Sequence, residues 1–338
     1  MDEKPLNPPQ IITKKARKTV LIFGVSSFVG SNLAEFLHKY YRVIGTYFTK
    51  PVEIPGVLTV QCDALNRDAV QMVLYSFRPN ITIYCVGLTS LEDCHRYEKL
   101  ADALNTAAVF NVITFSERYK SQFIYFSTSF IFSGEDKIYL ENDPPSPLNA
   151  YGNAKLAAEY YIQKSCLNYL IFRNCNFYGR SVNPNTQTWF ESMQIRMAKE
   201  EGFTTDAMIH FGFLDVHYLG MILKLAIDME MANRLYQVSS QDICTFHDFV
   251  KTYCEIFKAG MGLVRKGQWP FPETKGDLVD NVELKNQRFF RLSIKNAENV
   301  FRMELPTIKE SLQYTFQRFG GSTVVKGKIT KTNTVQFI

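Results

Sequence analysis

The stretch KTVLIFGVSSFVGSNLAEFL, residues 18–37, decides the fold. Thr19 to Phe23 is a β-branched and aromatic apolar run, as a strand covered on both faces of a parallel sheet requires. Gly24 ends that run, and from Phe28 the apolar residues take helical spacing, with Val29, Leu33, Phe36 and Leu37 on one face. Gly30 falls in the first helical turn, where the helix passes close to the strand. A helix that opens directly after a buried strand aims unpaired N–H groups and a positive dipole end at the carboxyl edge of the sheet, where a pyrophosphate binds. Gly24, Ser26, Ser27, Phe28, Val29 and Gly30 therefore form a candidate dinucleotide cradle. It departs from a Gly-x-x-Gly-x-x-Gly pattern at Ser27, where a missing Cβ would let the backbone approach the phosphates.

The residues that follow repeat the alternation. Strands are predicted at 41–48, 57–62, 81–86 (closed by Gly87), 122–126 and 170–173. Helical patterns lie between them, including a long helix at 97–120 and another beginning near Tyr151. Short links between strand and helix predict right-handed crossovers and an α/β, doubly wound parallel sheet. Past Gly179 the alternation thins into helices near 187–200, 216–229, 246–257 and 307–319, with short strands such as 235–238. The expected organisation is a flexible lead-in at 1–18, a dinucleotide-binding domain at 19–180, a smaller, partly interleaved substrate lobe at 181–319, and a tail at 320–338. The end of the second strand reads Thr46-Tyr47-Phe48-Thr49-Lys50. An acidic residue there would bind the ribose of NAD; a hydroxyl and a cation, Thr49 and Lys50, favour the 2′-phosphate of NADP, with NAD possible.

Composition bounds the rest. With 338 residues, 46% of them hydrophobic and 21% charged, the chain is globular rather than disordered. The net charge of +5 is mild, and much of it sits at the ends, on Lys14, Lys15, Arg17, Lys18, Lys326, Lys328 and Lys331. The start MDEKPLNPPQ lacks the apolar core of a signal peptide, and no run approaches the ~18 apolar residues of a membrane span. Seven cysteines, an odd number with no Cys-x-x-Cys pair, read as buried free thiols in a reducing compartment, so a cytoplasmic location is expected. Five histidines show no metal-ligand spacing, and no metal is expected. Phe289 and Phe290 read as core rather than as a base-stacking platform, so no nucleic-acid partner is expected. The tail alternates apolar and polar residues to Ile338 and reads as a disordered end rather than an edge strand.

Tyr151 and Lys155 are four apart on a predicted helix and share a face. An ammonium beside a phenol favours the phenolate and lowers the phenol's pKa from ~10 towards neutrality, making a usable acid and base. The same spacing recurs at Tyr160 and Lys164. Only Tyr151 has a partner: Thr128, at the carboxyl end of a buried strand, offers a hydroxyl to the oxygen that the tyrosine would protonate.

These residues resemble the extended short-chain dehydrogenase/reductase family, in its dTDP-4-dehydrorhamnose reductase-like branch of nucleotide-sugar reductases. The matching pieces are GVSSFVG (24–30), GTYFTKP (45–51), CDALNRDAV (62–70), VGLTSLEDC (86–94) with Asn105, YFSTSFIFSG (125–134), PLNAYGNAK (147–155), RNCNFYG (173–179) and FLDVHYLGMIL (213–223). The resemblance runs in register from about 19 to 319. It implies that Thr128, Tyr151 and Lys155 are catalytic, with Lys155 also holding the nicotinamide ribose. It implies that Asp63 and Ala64 edge the adenine, that Val86, Gly87 and Leu88 line the ribose side, that Asn105 also binds the cofactor, and that Ser129, Phe130, Asn174 and Asn176 meet a nucleotide-sugar substrate. The Ser27 hydroxyl is expected to donate to a phosphate in place of the missing glycine. Ser129-Phe130 stands where dehydratases carry Asp-Glu, which disfavours dehydration. Asn176 stands where the reductases place a sugar-contacting tryptophan, so the sugar is expected to differ from rhamnose. The same catalytic set serves NAD-dependent 4-epimerases, and the fold also serves a non-catalytic NADP-binding regulatory subunit, the beta subunit of methionine adenosyltransferase. Family members pair through the helices that correspond to 97–120 and 151–165, so a homodimer is expected.

Overall fold

A computed structural model describes residues 17–165, 168–262, 264–267 and 287–321. The expected lead-in as far as residue 16, Cys166 and the tail beyond Gly321 lie outside the described residues. The first strands are β1 (Thr19–Phe23), β2 (Arg42–Tyr47), β3 (Leu58–Gln61), β4 (Ile81–Tyr84) and β5 (Gln122–Thr128), followed by the short β6 (Ile138–Tyr139). Next come β7 (Tyr169–Asn174), β8 (Asn176–Tyr178), β9 (Phe203–Asp206), β10 (Ile209–Phe211), β11 (Phe213–Asp215) and β12 (Arg234–Val238). Seven of these make one sheet in the order β12-β7-β5-β4-β1-β2-β3, every pair parallel. Connections leave β1 in opposite directions, which opens a crevice at the carboxyl ends of β1 and β4.

Val20, Leu21, Ile22 and Phe23 of β1 have no exposed surface, as the continuous apolar run requires. One face of the sheet is covered by α1 (Phe28–Leu37), and the other by α2 (Arg67–Phe77) together with helices introduced below. β12, from the second half of the chain, joins the main sheet beside β7. The predicted helix 97–120 is broken. After α3 (Leu91–Arg96) it forms α4 (Glu98–Asp102), a π-turn over Ala103–Ala107, and α5 (Ala108–Arg118). The π-turn inserts one residue per turn and points Asn105 inward, where it is fully buried.

α6 (Ala150–Ser165) lies on the same side as α5, and the Phe110 and Tyr161 rings stack across the two at 3.8 Å. Tyr151, Lys155, Glu159 and Ile162 of α6 are all buried. Glu159 meets Arg173 of β7 in a bidentate pair, with Arg173 Nη2 2.8 Å from Oε2 and Nε 3.1 Å from Oε1. Arg173 Nη1 also donates to the Glu141 carbonyl at 2.9 Å.

The second half adds α7 (Trp189–Ala198), α8 (Val216–Asp228) and α9 (Phe246–Phe257). α8 packs on α1: a Cβ at Gly220 would lie 2.8 Å from the Phe36 ring. α7 and α9 enclose an aromatic core that includes Tyr178, Phe190, Phe213, Phe249 and Tyr253. Phe290 is buried there, as expected, while Phe289 stacks on His210 at 4.6 Å. Among the described residues no helix is long and apolar enough to cross a membrane, and no cluster of side chains can hold a metal.

Removing one member of the Glu159–Arg173 pair strands the other as a buried, uncompensated charge. Glu159→Ala is expected to lower unfolding free energy in urea by about 3–5 kcal/mol. The double replacement Glu159→Leu with Arg173→Met should recover most of that loss.

Candidate active site

A cavity of about 1190 Å³ opens at the carboxyl ends of β1, β4, β5 and β7. Gly24 sits at φ +82° against β4's exit, where a Cβ would lie 2.7 Å from the Cys85 carbonyl oxygen. A Cβ at Gly30 would collide with the Gly24 carbonyl, so this glycine serves the close packing of α1 and does not line the cavity. Ser27 is the N-cap of α1. Its hydroxyl accepts from the Gly30 N–H at 3.0 Å and donates to the Gly24 carbonyl at 2.7 Å. The expectation that this hydroxyl donates to a phosphate is thereby corrected: its proton is engaged within the turn. The first-turn N–H groups of Phe28 and Val29, which no helix bond can satisfy, remain as the anion-directed donors.

Ser26, Phe28, Val29, Thr49, Lys50, Asp63, Ala64 and Val86 line the cavity together with Gly24 and Ser27. Gly87, Leu88 and Asn105 do not. Asn105 instead clamps the loop after β4, accepting from the Leu88 N–H at 3.0 Å and donating to the Leu88 carbonyl at 2.8 Å. A Cβ at Gly87 would collide with that carboxamide oxygen. The three set the course of the loop that presents Val86.

Thr128, Tyr151 and Lys155 come together at the inner end of the cavity. The Thr128 hydroxyl lies beside the Tyr151 phenol and accepts from the Phe130 N–H at 3.2 Å, capping the following turn. Lys155 Nζ donates to the Phe126 carbonyl at 2.9 Å and lies over the rings of Tyr125 and Tyr151, 4.8 and 5.8 Å from their centroids. Tyr160, bearer of the second Tyr-x-x-x-Lys spacing, is exposed.

On the far side, Phe130, Asn174 and Asn176 line the cavity, whereas Ser129 is buried in the turn after β5 and does not. The Phe130 ring meets Tyr151, Phe211 and Phe290 edge-on at 6.3, 5.5 and 4.9 Å. Residues 181–189, missed by sequence reasoning, form much of this wall and end on Trp189, whose indole N–H donates to the Phe177 carbonyl at 3.3 Å. The sequence signal was the Thr188-x-x-Glu191 capping box, which marks a helix starting at Trp189. Ser127 Oγ, Asn174 Oδ1 and Ser181 Oγ are buried cavity-lining atoms with no hydrogen-bond partner, so the residues present fit polar ligand groups.

The family model described as RmlD substrate binding domain matches residues 18–320. The chain belongs to this family. It is 26% identical over 294 residues to dTDP-4-dehydrorhamnose reductase of Salmonella typhimurium, covering 82% of this chain and 94% of that protein. It is 30% identical over 150 residues to methionine adenosyltransferase 2 subunit beta of Danio rerio, but spans only 45% of that relative's length. Among solved structures, dTDP-4-dehydrorhamnose reductase of Bacillus anthracis in complex with NADP superposes with a TM-score of 0.75 at 21% identity, over 89% of this chain and 99% of that one. UDP-glucose 4-epimerase of Thermotoga maritima with UDP-glucose superposes with a TM-score of 0.72 at 19% identity, over 89% and 98%.

In this member of the RmlD substrate binding domain family, burial rather than charge pairing sets the protonation of Tyr151 and Lys155. The Tyr151 phenol is pushed above its ordinary value by burial, and the Thr128 hydroxyl beside it only partly opposes this. The expected lowering by Lys155 is corrected, because the ammonium lies over the ring face and points its proton at the Phe126 carbonyl. Burial also lowers Lys155 to about 8. Tyr151 is thus held as a phenol, ready to give a proton.

Between about pH 8 and 10 the unfolded chain keeps a proton on Lys155 that the folded chain has released, so this group's contribution to stability rises with pH. The buried thiols, whose values burial raises, act in the opposite direction. The observable is therefore a difference. Relative to Lys155→Met, the wild type should gain stability as urea denaturation moves from pH 7 to pH 10, and a constant difference would contradict the lowered Lys155.

Proposed function

We propose that this chain is an NADP-preferring oxidoreductase that reduces a keto group of a nucleotide-activated sugar. The observation that carries the reading is the buried set Thr128–Tyr151–Lys155 at the inner end of a cavity whose outer end is lined by Thr49 and Lys50. Bound at the Gly24–Gly30 turn, the nicotinamide cofactor would supply hydride to the carbonyl carbon. Tyr151 gives its phenolic proton to the carbonyl oxygen, Thr128 orients that oxygen, and Lys155 faces the phenolate that remains. The aromatic wall of Phe130 and Trp189 excludes water and takes the apolar face of a sugar ring, while Asn174 and Asn176 meet its hydroxyls. The relatives matched over most of their length are named as reductases, which supports an enzyme of this kind. A homodimer paired through α5 and α6 belongs to the same reading.

The match to methionine adenosyltransferase 2 subunit beta favours a second reading, a cofactor-binding regulatory subunit. Two substitutions separate them. Tyr151→Phe is expected to reduce NADPH oxidation across a panel of nucleotide ketosugars by about 10²–10⁴-fold while NADPH affinity stays within twofold. Lys50→Ala should weaken NADPH about tenfold and leave NADH unchanged. Tight cofactor binding with no turnover on any ketosugar, and no effect of Tyr151→Phe, would favour the regulatory subunit. Failure to bind either cofactor would sink both.

A further inference from the structure

The carbonyl of Ser26 lies inside the candidate cofactor turn, yet its partners come from more than 150 residues away. Asn183 Nδ2 donates to it at 2.7 Å and Thr186 Oγ1 at 3.0 Å. Asn183 is buried and shapes its own loop, with Oδ1 accepting from the Asn185 N–H at 3.0 Å and Nδ2 reaching Thr186 Oγ1 at 3.1 Å. The feet of this loop are tied as well. Asn32 of α1 donates to the Arg180 carbonyl at 3.1 Å, Thr188 Oγ1 donates to the Gly179 carbonyl at 2.8 Å, and Glu191 of α7 accepts from the Ser181 and Thr188 N–H groups. Residues 181–189 therefore form an arch from the start of α1 to the start of α7, with the cavity against it.

We propose that Asn183 and Thr186 are positioning residues that latch the cofactor turn to the substrate wall. An anion drawn to the Phe28 and Val29 N–H groups bears on the adjacent Ser26 peptide, and the Ser26 carbonyl holds the arch that ends on Trp189. Occupancy of one subsite is thereby felt at the other, with reciprocal effect. Cofactor release requires the arch to yield, so the latch slows dissociation. The inference rests on the cofactor reading above.

The test uses the full chain in a Trp269→Phe background, which leaves Trp189 as the single tryptophan. NADPH dissociation is followed by stopped-flow through its own fluorescence, and Trp189 emission is read at saturating NADP. In Asn183→Ala/Thr186→Val, loss of two hydrogen bonds is expected to raise the dissociation rate about tenfold or more, and Trp189 should no longer respond to cofactor. Thr186→Ser alone keeps the donor and should behave as wild type; Thr186→Val alone serves if the double variant does not fold. Wild-type dissociation rates in the latch variants would overturn the proposal, as would a wild-type Trp189 emission that ignores saturating cofactor. A wild type that binds neither NADPH nor NADH overturns the cofactor reading and the latch together.

Discussion

The docking of α6 against the sheet is the constraint on which the rest of the structure depends. Tyr151, Lys155 and Glu159 lie at four-residue steps along one face, and all three are buried. Each polar end needs a partner once it is buried, and each finds a different one: Thr128 on β5, the Phe126 carbonyl, and Arg173 on β7. Three directional contacts over two turns fix the rotation of the helix and its position along its axis. A helix held only by apolar packing would be free to settle into neighbouring arrangements at small cost. Here a slip would unpair a buried charge.

The same logic applies on the other side of the crevice. Ser27 costs the turn a glycine, but its hydroxyl closes the first turn of α1 and its burial keeps the Gly24–Gly30 contact tight. The Phe28 and Val29 N–H groups, in the first turn of α1, are left without helix partners. Asn105 does comparable work from behind, since a π-turn is needed to bring its carboxamide onto the Leu88 backbone. Polar side chains here shape the cavity by holding main chain in place.

The core enclosed by α7 and α9 is rich in rings. Phe213, Phe249 and Trp189 approach edge-on or tilted at 4.5–6.1 Å. Phe130 and Tyr151 belong to this same cluster, so the Tyr151 phenol is packed by the second half of the chain as well as by its own helix. Burial that raises the pKa of Tyr151 thus comes from both halves of the molecule.

The doubly wound sheet was legible in the sequence because a strand buried on both faces must be continuously apolar, and the helices between must show a 3.6-residue stripe. Residues 19–23 and 28–37 carry both signals without tertiary help. The i, i+4 spacing of Tyr151 and Lys155 likewise follows from helix geometry alone. The break at 103–107, the membership of β12 in the main sheet and the inward turn of Asn105 depend on packing that no local pattern encodes. The arch at 181–189 was invisible for the same reason: Asn183 and Thr186 read as loop residues until the fold brings the Ser26 carbonyl, 157 residues away from Asn183, within hydrogen-bond distance. The amino-acid sequence by itself determined which segments become strand and helix and which side chains share a face. Only the tertiary structure decided which buried polar atoms meet, and through burial it decided that Tyr151 stands as a phenol and Lys155 as a weakened ammonium.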